Sequence, residues 1–302
     1  MDSLTIGSSL AELYHENSKQ RRHDRSFGWR VATVGNSPSF QRLTRRPGKR
    51  YGGAQVIALP RPEPLDMPLH QAIAARRSVR RFSARPLTVP DLAALLMLSA
   101  GLPGGAGDGE RTTLRAAPSA GGLHPTEIYV VVRAVDGLEP GVYHYRANDH
   151  VLETLDLDAT APARLAEASS YPEILETAAA TLVLTAVFGR TTLKYGERAY
   201  RFVVLEIGHV AQNVLLVAPA LGCGAVPIGG FVDDEVHAIL DVDGVDEASL
   251  YLLPVGHLPP DPDPPEWAGG QEAVAAVMER LWSSGAVLSA PGRPDRGSAR
   301  DG

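Results

Sequence analysis

Apolar and polar positions along the chain alternate with two periods, and each stretch of one period predicts an element. Leu69 and Ile73, four apart between Pro68 and Arg77, predict a helix with Asp66 as its N-cap. Thr88 followed by Pro90 opens a second helix through Leu98, which Gly101 closes. Strands are expected from Ile128 to Arg133, Val142 to Tyr145 and Val151 to Leu155, the last two joined by a tight turn at Asn148 and Asp149. The continuous apolar run from Thr181 to Phe188 reads as a buried strand. The longest helical pattern runs from Glu197 to Leu221. Its Tyr200, Val203, Val204, Ile207, Val210, Ala211, Val214, Leu215 and Ala218 cover most of the circumference and predict burial nearly all round. A strand near Ala225 to Ile228, a helix from Asp233 to Leu240 and a strand from Leu250 to Val255 follow. End-to-end βαβ units are not evident, so the fold class expected is α+β. No G-x-G-x-x-G opens a helix after a strand, which removes the support for a Rossmann nicotinamide site.

The two ends read differently. The first 60 or so residues lack a sustained period and run into Pro60, Pro62, Pro64 and Pro68, which favour extended chain. After Pro259 come a proline-rich linker, a short amphipathic helix from Gln271 to Trp282 and a polar tail. The expected division is therefore a basic extension over 1–64, a main domain over 65–260, and a linker, helix and tail over 261–302. Charge sharpens the first boundary. Residues 1–50 carry ten Lys or Arg against four Asp or Glu, and the whole chain is at −6, which leaves −12 for the rest. A basic segment on an acidic body with no nucleic-acid motif suits an acidic peptide or protein partner, or a solvated surface, better than a phosphate backbone. No uninterrupted apolar run of roughly 18 residues and no signal-peptide core are apparent, so a cytoplasmic protein without a membrane span is expected. Cys223, the only cysteine, stands between two glycines after an apolar helix as a packing residue and argues against a cysteine-based zinc site.

Three clusters carry candidate chemistry. Arg76, Arg77, Ser78, Val79, Arg80, Arg81 and Phe82 stand where a helix ends, and guanidinium groups there suit a phosphate. Pro118, Ser119, Ala120, Gly121, Gly122, Leu123, His124 and Pro125 precede a strand; paired glycines let backbone approach a planar ring, and Ser119 adds a polar contact. Ala225, Val226, Pro227, Ile228, Gly229, Gly230 and Phe231 form a third, glycine-containing turn before the helix that Asp233 caps. His124 is read as a surface or capping histidine and His209 as a core or interface one. The glycine-rich loop from Leu102 to Arg111 suits a mobile flank of a site.

Taken in order, these clusters resemble the nitroreductase superfamily, and more closely its SagB-type branch of FMN-dependent thiazoline/oxazoline dehydrogenases; the resemblance covers about residues 65–258. Leu13, Tyr14, His15, Glu16, Asn17, Ser18 and Lys19 are similar to that branch's N-terminal extension. The resemblance implies a nitroreductase-like fold, with a central mixed or antiparallel sheet flanked by helices. It implies FMN held by Arg76, Arg77, Ser78 and Arg80 at the phosphate and ring edge, by Pro118, Ser119, Gly121 and Gly122 along the ring, and by Pro227, Ile228, Gly229 and Gly230 near its reactive nitrogen. It further implies a homodimer built on the long helix and a cyclodehydratase partner. The Lys194, Tyr195 pair falls where the branch carries its catalytic motif, which implies oxidation of a peptide azoline to a thiazole or oxazole with dioxygen as final acceptor. Neighbours on a helix diverge by about 100°, so adjacency alone does not bring both side chains to one pocket. A nitroaromatic or quinone reductase and a non-catalytic scaffold subunit are the rival readings.

Overall fold

The computed structural model describes residues 9–22, 25–40, 48–102 and 114–260. The glycine-rich loop from Leu102 to Arg111, apart from Leu102 itself, and the helix expected from Gln271 to Trp282 lie outside the described residues. Its centre is a seven-stranded sheet made of β1 (Gln55–Ala58), β3 (Thr126–Val132), β5 (Gly141–Arg146), β6 (Val151–Asp156), β7 (Ala180–Val187), β8 (Cys223–Ala225) and β9 (Glu247–His257). Their order is β1-β6-β5-β3-β7-β9-β8, and every pairing is antiparallel. Two short strands, β2 (Leu87–Thr88) and β4 (Val135–Asp136), pair in parallel apart from it.

Both faces of this sheet are covered, which explains why β3 is buried at all seven positions. Ile128, Val130 and Val132 point to one apolar layer with Leu92, Leu95, Val203, Ile207 and Val210. Tyr129 and Val131 point to the other, with Leu165, Ile174, Val236 and Leu240. The period of two is thus present, but both phases are apolar. The first layer is supplied by α4 (Val89–Ala100) and the long α8 (Ala199–Ala220); the second by α5 (Ala161–Ala168), α6 (Pro172–Thr177) and α9 (Asp233–Leu240). Thr88 caps α4 through a reciprocal capping box with Asp91, and Gly101 ends it. An α+β architecture with a mostly antiparallel central sheet flanked by helices, as expected from the sequence, is what the chain adopts.

Several expectations change. The helix α3 (Leu69–Ala75) is capped by Pro68, not Asp66. The expected strand from Ala225 to Ile228 breaks after Ala225, and Ile228 makes only an isolated bridge to Leu252. Pro227, which has no N–H to give a ladder, lies between them. Asp233 is the first residue of α9 rather than its cap, which is Val232. Helices α5 and α6 were not foreseen. Most consequentially, α1 (Leu10–Asn17) and α2 (Ser26–Gly35) are helices where no period was read, and β1 joins the sheet edge from the stretch assigned to the extension. The long helix is not buried all round either. Tyr200, Val204 and Leu205 are 44–59% exposed and His209 faces outward. An 18-residue window within residues 189–220 has the mean hydropathy (1.5) of a membrane span by composition alone, and half of that window is buried in this fold.

Candidate active site

The Lys194–Tyr195 pair closes α7 (Gly189–Tyr195), immediately before the turn that leads into α8. Tyr195 ends the helix at φ −111°, well off the helical value, and Gly196 reverses the chain at φ +56°. Freed from the 100° spacing, both side chains reach one place. A Cβ built on Gly121 would lie 2.7 Å from Tyr195 Oη and 3.0 Å from Lys194 Nζ. Gly121 and Gly122 hold φ of +66° and +65°, so the loop requires glycine both for its backbone and for this approach. Lys194 Nζ lies 5.2 Å from the Tyr195 ring centre and 5.8 Å from that of Phe40, and no carboxylate among the described residues pairs with it. The Tyr195 ring meets Phe202 edge-on at 5.0 Å.

The loop rests on a buried polar network that sequence reasoning missed. The Ser119 hydroxyl accepts the His124 N–H at 2.9 Å and is hydrogen-bonded to the Glu206 carboxylate of α8. Ser119 is therefore engaged in shaping the loop. Glu206 also accepts from the Thr126 hydroxyl at 2.9 Å; burial raises its pKa more than these bonds lower it. The His124 carbonyl accepts from Arg190, one turn before Lys194 on α7, at 2.8 Å, and Arg190 also binds Glu127 at 2.5 Å. His124 itself is buried at φ +44° and not a surface residue. Glu127 continues to His144 at 3.0 Å, and His144 to Glu153 at 2.9 Å. Burial would raise the Glu127 carboxyl, but the His144 hydrogen bond and the Arg190 charge outweigh it and bring it down to about 2. The sequence signal for Glu206 was available: a carboxylate on an otherwise apolar helix is costly to bury without partners.

The arginine cluster meets the third cluster, not the second. Ser78 bridges Ala225, and the Val79 N–H donates to the Ala225 carbonyl at 3.2 Å. Arg77 spends one nitrogen on the Ala74 and Arg76 carbonyls at 2.8 Å, and Arg80 contacts the Ser78 carbonyl at 3.4 Å. No carboxylate among the described residues pairs with Arg76, Arg77 or Arg80; Arg77 and Arg80 are exposed and Arg76 is half-buried. Gly230 packs on Ser170, whose N–H donates to the Gly230 carbonyl at 2.9 Å, while Gly229 is exposed. Cys223 is buried against His257 and its thiol is pushed up to about 12 by burial, which makes it a packing residue and not a nucleophile.

The N-terminal helices form one wall of the site. Phe27 of α2 stacks on Tyr195 at 6.1 Å, Gly35 approaches Lys194 to within 3.2 Å of a built Cβ, and Phe40 lies below the ammonium. Phe27, Val31, Val34 and Gly35 are the half-buried stripe of α2. α1 is tied to α8: Arg201 donates to the Ser18 hydroxyl at 2.8 Å and to the His15 carbonyl at 2.7 Å, and Arg198 donates to the Ser18 carbonyl at 2.9 Å.

Guanidinium groups and a lysine that have no carboxylate partner among the described residues, together with a left-handed glycine loop, fit a phosphate-bearing planar cofactor of the flavin type. Residues 73–257 match the Nitroreductase family, and the chain belongs to it; members of this family bind FMN, and it is a family of flavin oxidoreductases. Over 205 residues the chain is 38% identical to the nitroreductase-like protein MJ1384 of Methanocaldococcus jannaschii, covering 68% of this chain and 98% of that one. It is 32% identical to the trifolitoxin-processing protein TfxB of Rhizobium leguminosarum bv. trifolii and 28% identical to the microcin B17-processing protein McbC of Escherichia coli. These alignments cover 47% and 46% of this chain but only 39% and 52% of those proteins. Nitroreductase-type structures from Anabaena variabilis and Ralstonia eutropha superpose with TM-scores of 0.59 and 0.58 at 25% identity, covering 70% and 72% of this chain and 43% and 96% of theirs. The E. coli microcin synthetase McbBCD complex with truncated pro-MccB17 bound superposes at 0.53 with 21% identity, over 84% of this chain and 83% of that one.

Proposed function

We propose that this protein is an FMN-dependent dehydrogenase of the SagB type that oxidises peptide thiazolines or oxazolines to thiazoles or oxazoles in the maturation of a peptide natural product. The observation that carries the reading is the convergence of Tyr195 Oη and Lys194 Nζ on Gly121 of the glycine loop. Similarity to two peptide-processing proteins, TfxB and McbC, supports the same substrate class.

Aromatising an azoline removes one proton from the α carbon and one hydride from the neighbouring carbon. FMN, when bound, supplies the acceptor for the hydride and its two electrons. The chain supplies the rest. Arg76, Arg77, Ser78 and Arg80 would hold the phosphate and ring edge, Pro118, Ser119, Gly121 and Gly122 the ring, and Pro227, Ile228, Gly229 and Gly230 would lie near its reactive nitrogen. The Lys194–Tyr195 pair takes the α proton onto one of two atoms, a deprotonated Tyr195 Oη or a neutral Lys194 Nζ, which becomes a neutral phenol or an ammonium as the hydride leaves the neighbouring carbon. Phe27, Phe40 and Phe202 line the pair with aromatic rings and leave it half-buried.

The reading includes a homodimer, and the exposed apolar positions Tyr200, Val204 and Leu205 on α8 support it. It also includes a cyclodehydratase that makes the azoline, with an acidic leader peptide at the basic N-terminal segment. The test is to load the full chain with FMN and supply an azoline peptide under air. Loss of about 2 Da per ring is expected. Rapid reduction of nitroaromatics or quinones with NAD(P)H, without any change in azoline peptides, would overturn the reading in favour of a general reductase.

A further inference from the structure

The N-terminal helices present a second face, away from Tyr195. There Gln20, Arg21, Arg22, Arg25, Gly28 and Trp29 line an open cleft of about 650 Å³. Trp29 is 68% exposed, an unusual position for an indole. A Cβ on Gly28 would meet no atom within 4 Å, so backbone and aromatic ring form an accessible floor. Arg21 lies 3.4 Å from Glu16, which Lys19 also engages, whereas Arg22 and Arg25 pair with no carboxylate among the described residues. Three guanidinium groups around an indole suit carboxylates interspersed with apolar side chains. The remaining chain, at −12, repels a long polyanion and leaves room for a short acidic one.

We propose that this cleft docks an acidic segment of the same peptide that brings the azoline to Lys194 and Tyr195, an inference that rests on the reading above. Phe27 and Gly28 are neighbours on α2, one turned to Tyr195 and the other to the cleft. The two sites are therefore separated by about one helix diameter, on the order of 10 Å. Roughly four extended residues cover that distance. The acidic segment acts as an address close to the reacting ring, and it raises the local concentration of the ring without changing the chemistry.

Binding is measured first, on the full-length FMN-loaded protein, by anisotropy of a fluorescein-labelled eight-residue peptide of alternating Glu and Leu. Saturable binding that weakens with salt is expected, with Arg22→Glu/Arg25→Glu at least tenfold weaker and Arg50→Glu, outside the cleft, unchanged. If the double variant loses FMN or melts early, Arg21→Gln and Trp29→Ala read the same contact one residue at a time. Turnover is measured second, with two azoline peptides that carry either four Glu or four Gln about five residues from the ring. The Glu peptide is expected to have a KM at least fivefold lower at equal kcat, a difference that Arg22→Glu/Arg25→Glu abolishes. Equal binding by the charge-reversed variant overturns the proposal, as does tighter binding of single-stranded DNA or of anionic vesicles. If anisotropy behaves as stated but neither azoline peptide is oxidised, the docking site stands and the reaction assigned above falls.

Discussion

At the scale of single residues the site depends on Gly121. Its φ of +66° and the 2.7 Å and 3.0 Å separations leave no room for a methyl group between the loop and the Lys194–Tyr195 pair. Gly121→Ala is expected to cost about 1–2 kcal/mol for a left-handed alanine and to displace the pair. A thermal melt and a kcat at least tenfold down with FMN still bound would check this, and a wild-type kcat would contradict it. The Lys-Tyr dipeptide was legible in the sequence, and so were the glycines. Their meeting was not, because it depends on the φ of Tyr195 at a helix end, which no side-chain pattern encodes. Arg190 and Glu206 were hidden for a related reason: each owes its role to partners 63 to 87 positions away, Glu127 and His124 for one and Thr126 and Ser119 for the other.

Among elements, the strands β3, β5, β6 and β7 and the helices α4, α8 and α9 were readable, since apolar period or apolar continuity marks each. α5 and α6 were not, because short alanine-rich and mixed segments give little contrast between faces. α1 and α2 were missed because neither helix has a fully buried residue, and the inner stripe of α2 is a narrow run of Phe27, Val31, Val34 and Gly35. What looked like an extension is thus a structural wall of the site. Phe27→Ala is expected to remove a half-buried ring contact worth roughly 1–2 kcal/mol. For a domain of this size that lowers Tm by about 2–8 °C. Its effect on kcat should exceed its effect on stability, because more water then reaches Tyr195. Equal kcat with a lowered Tm would show that α2 only braces the fold.

For the whole molecule, the network from Arg190 through Glu127 and His144 to Glu153 ties α7 to three strands of the sheet. Glu127 ionises at about 2 in the fold against 4.5 in the open chain. Its folded pKa is depressed, so its contribution is complete above about pH 4.5 and disappears as pH falls toward 2. Urea unfolding between pH 6 and pH 2.5 should show this loss, and Glu127→Gln should be less stable at neutral pH with a flatter acid slope; an unchanged slope would contradict the assignment. The charge asymmetry of the chain was legible from composition, while its placement around Trp29 required the fold of α2. The central claim is that Lys194 and Tyr195 act on an azoline beside FMN. It is tested most directly by following the loss of about 2 Da from an azoline peptide with FMN-loaded wild type and the Lys194→Ala/Tyr195→Phe double variant at matched FMN content. Oxidation by the wild type and a rate at least 10²-fold lower in the double variant are expected, whereas full-speed oxidation by the double variant would refute a catalytic role for Lys194 and Tyr195.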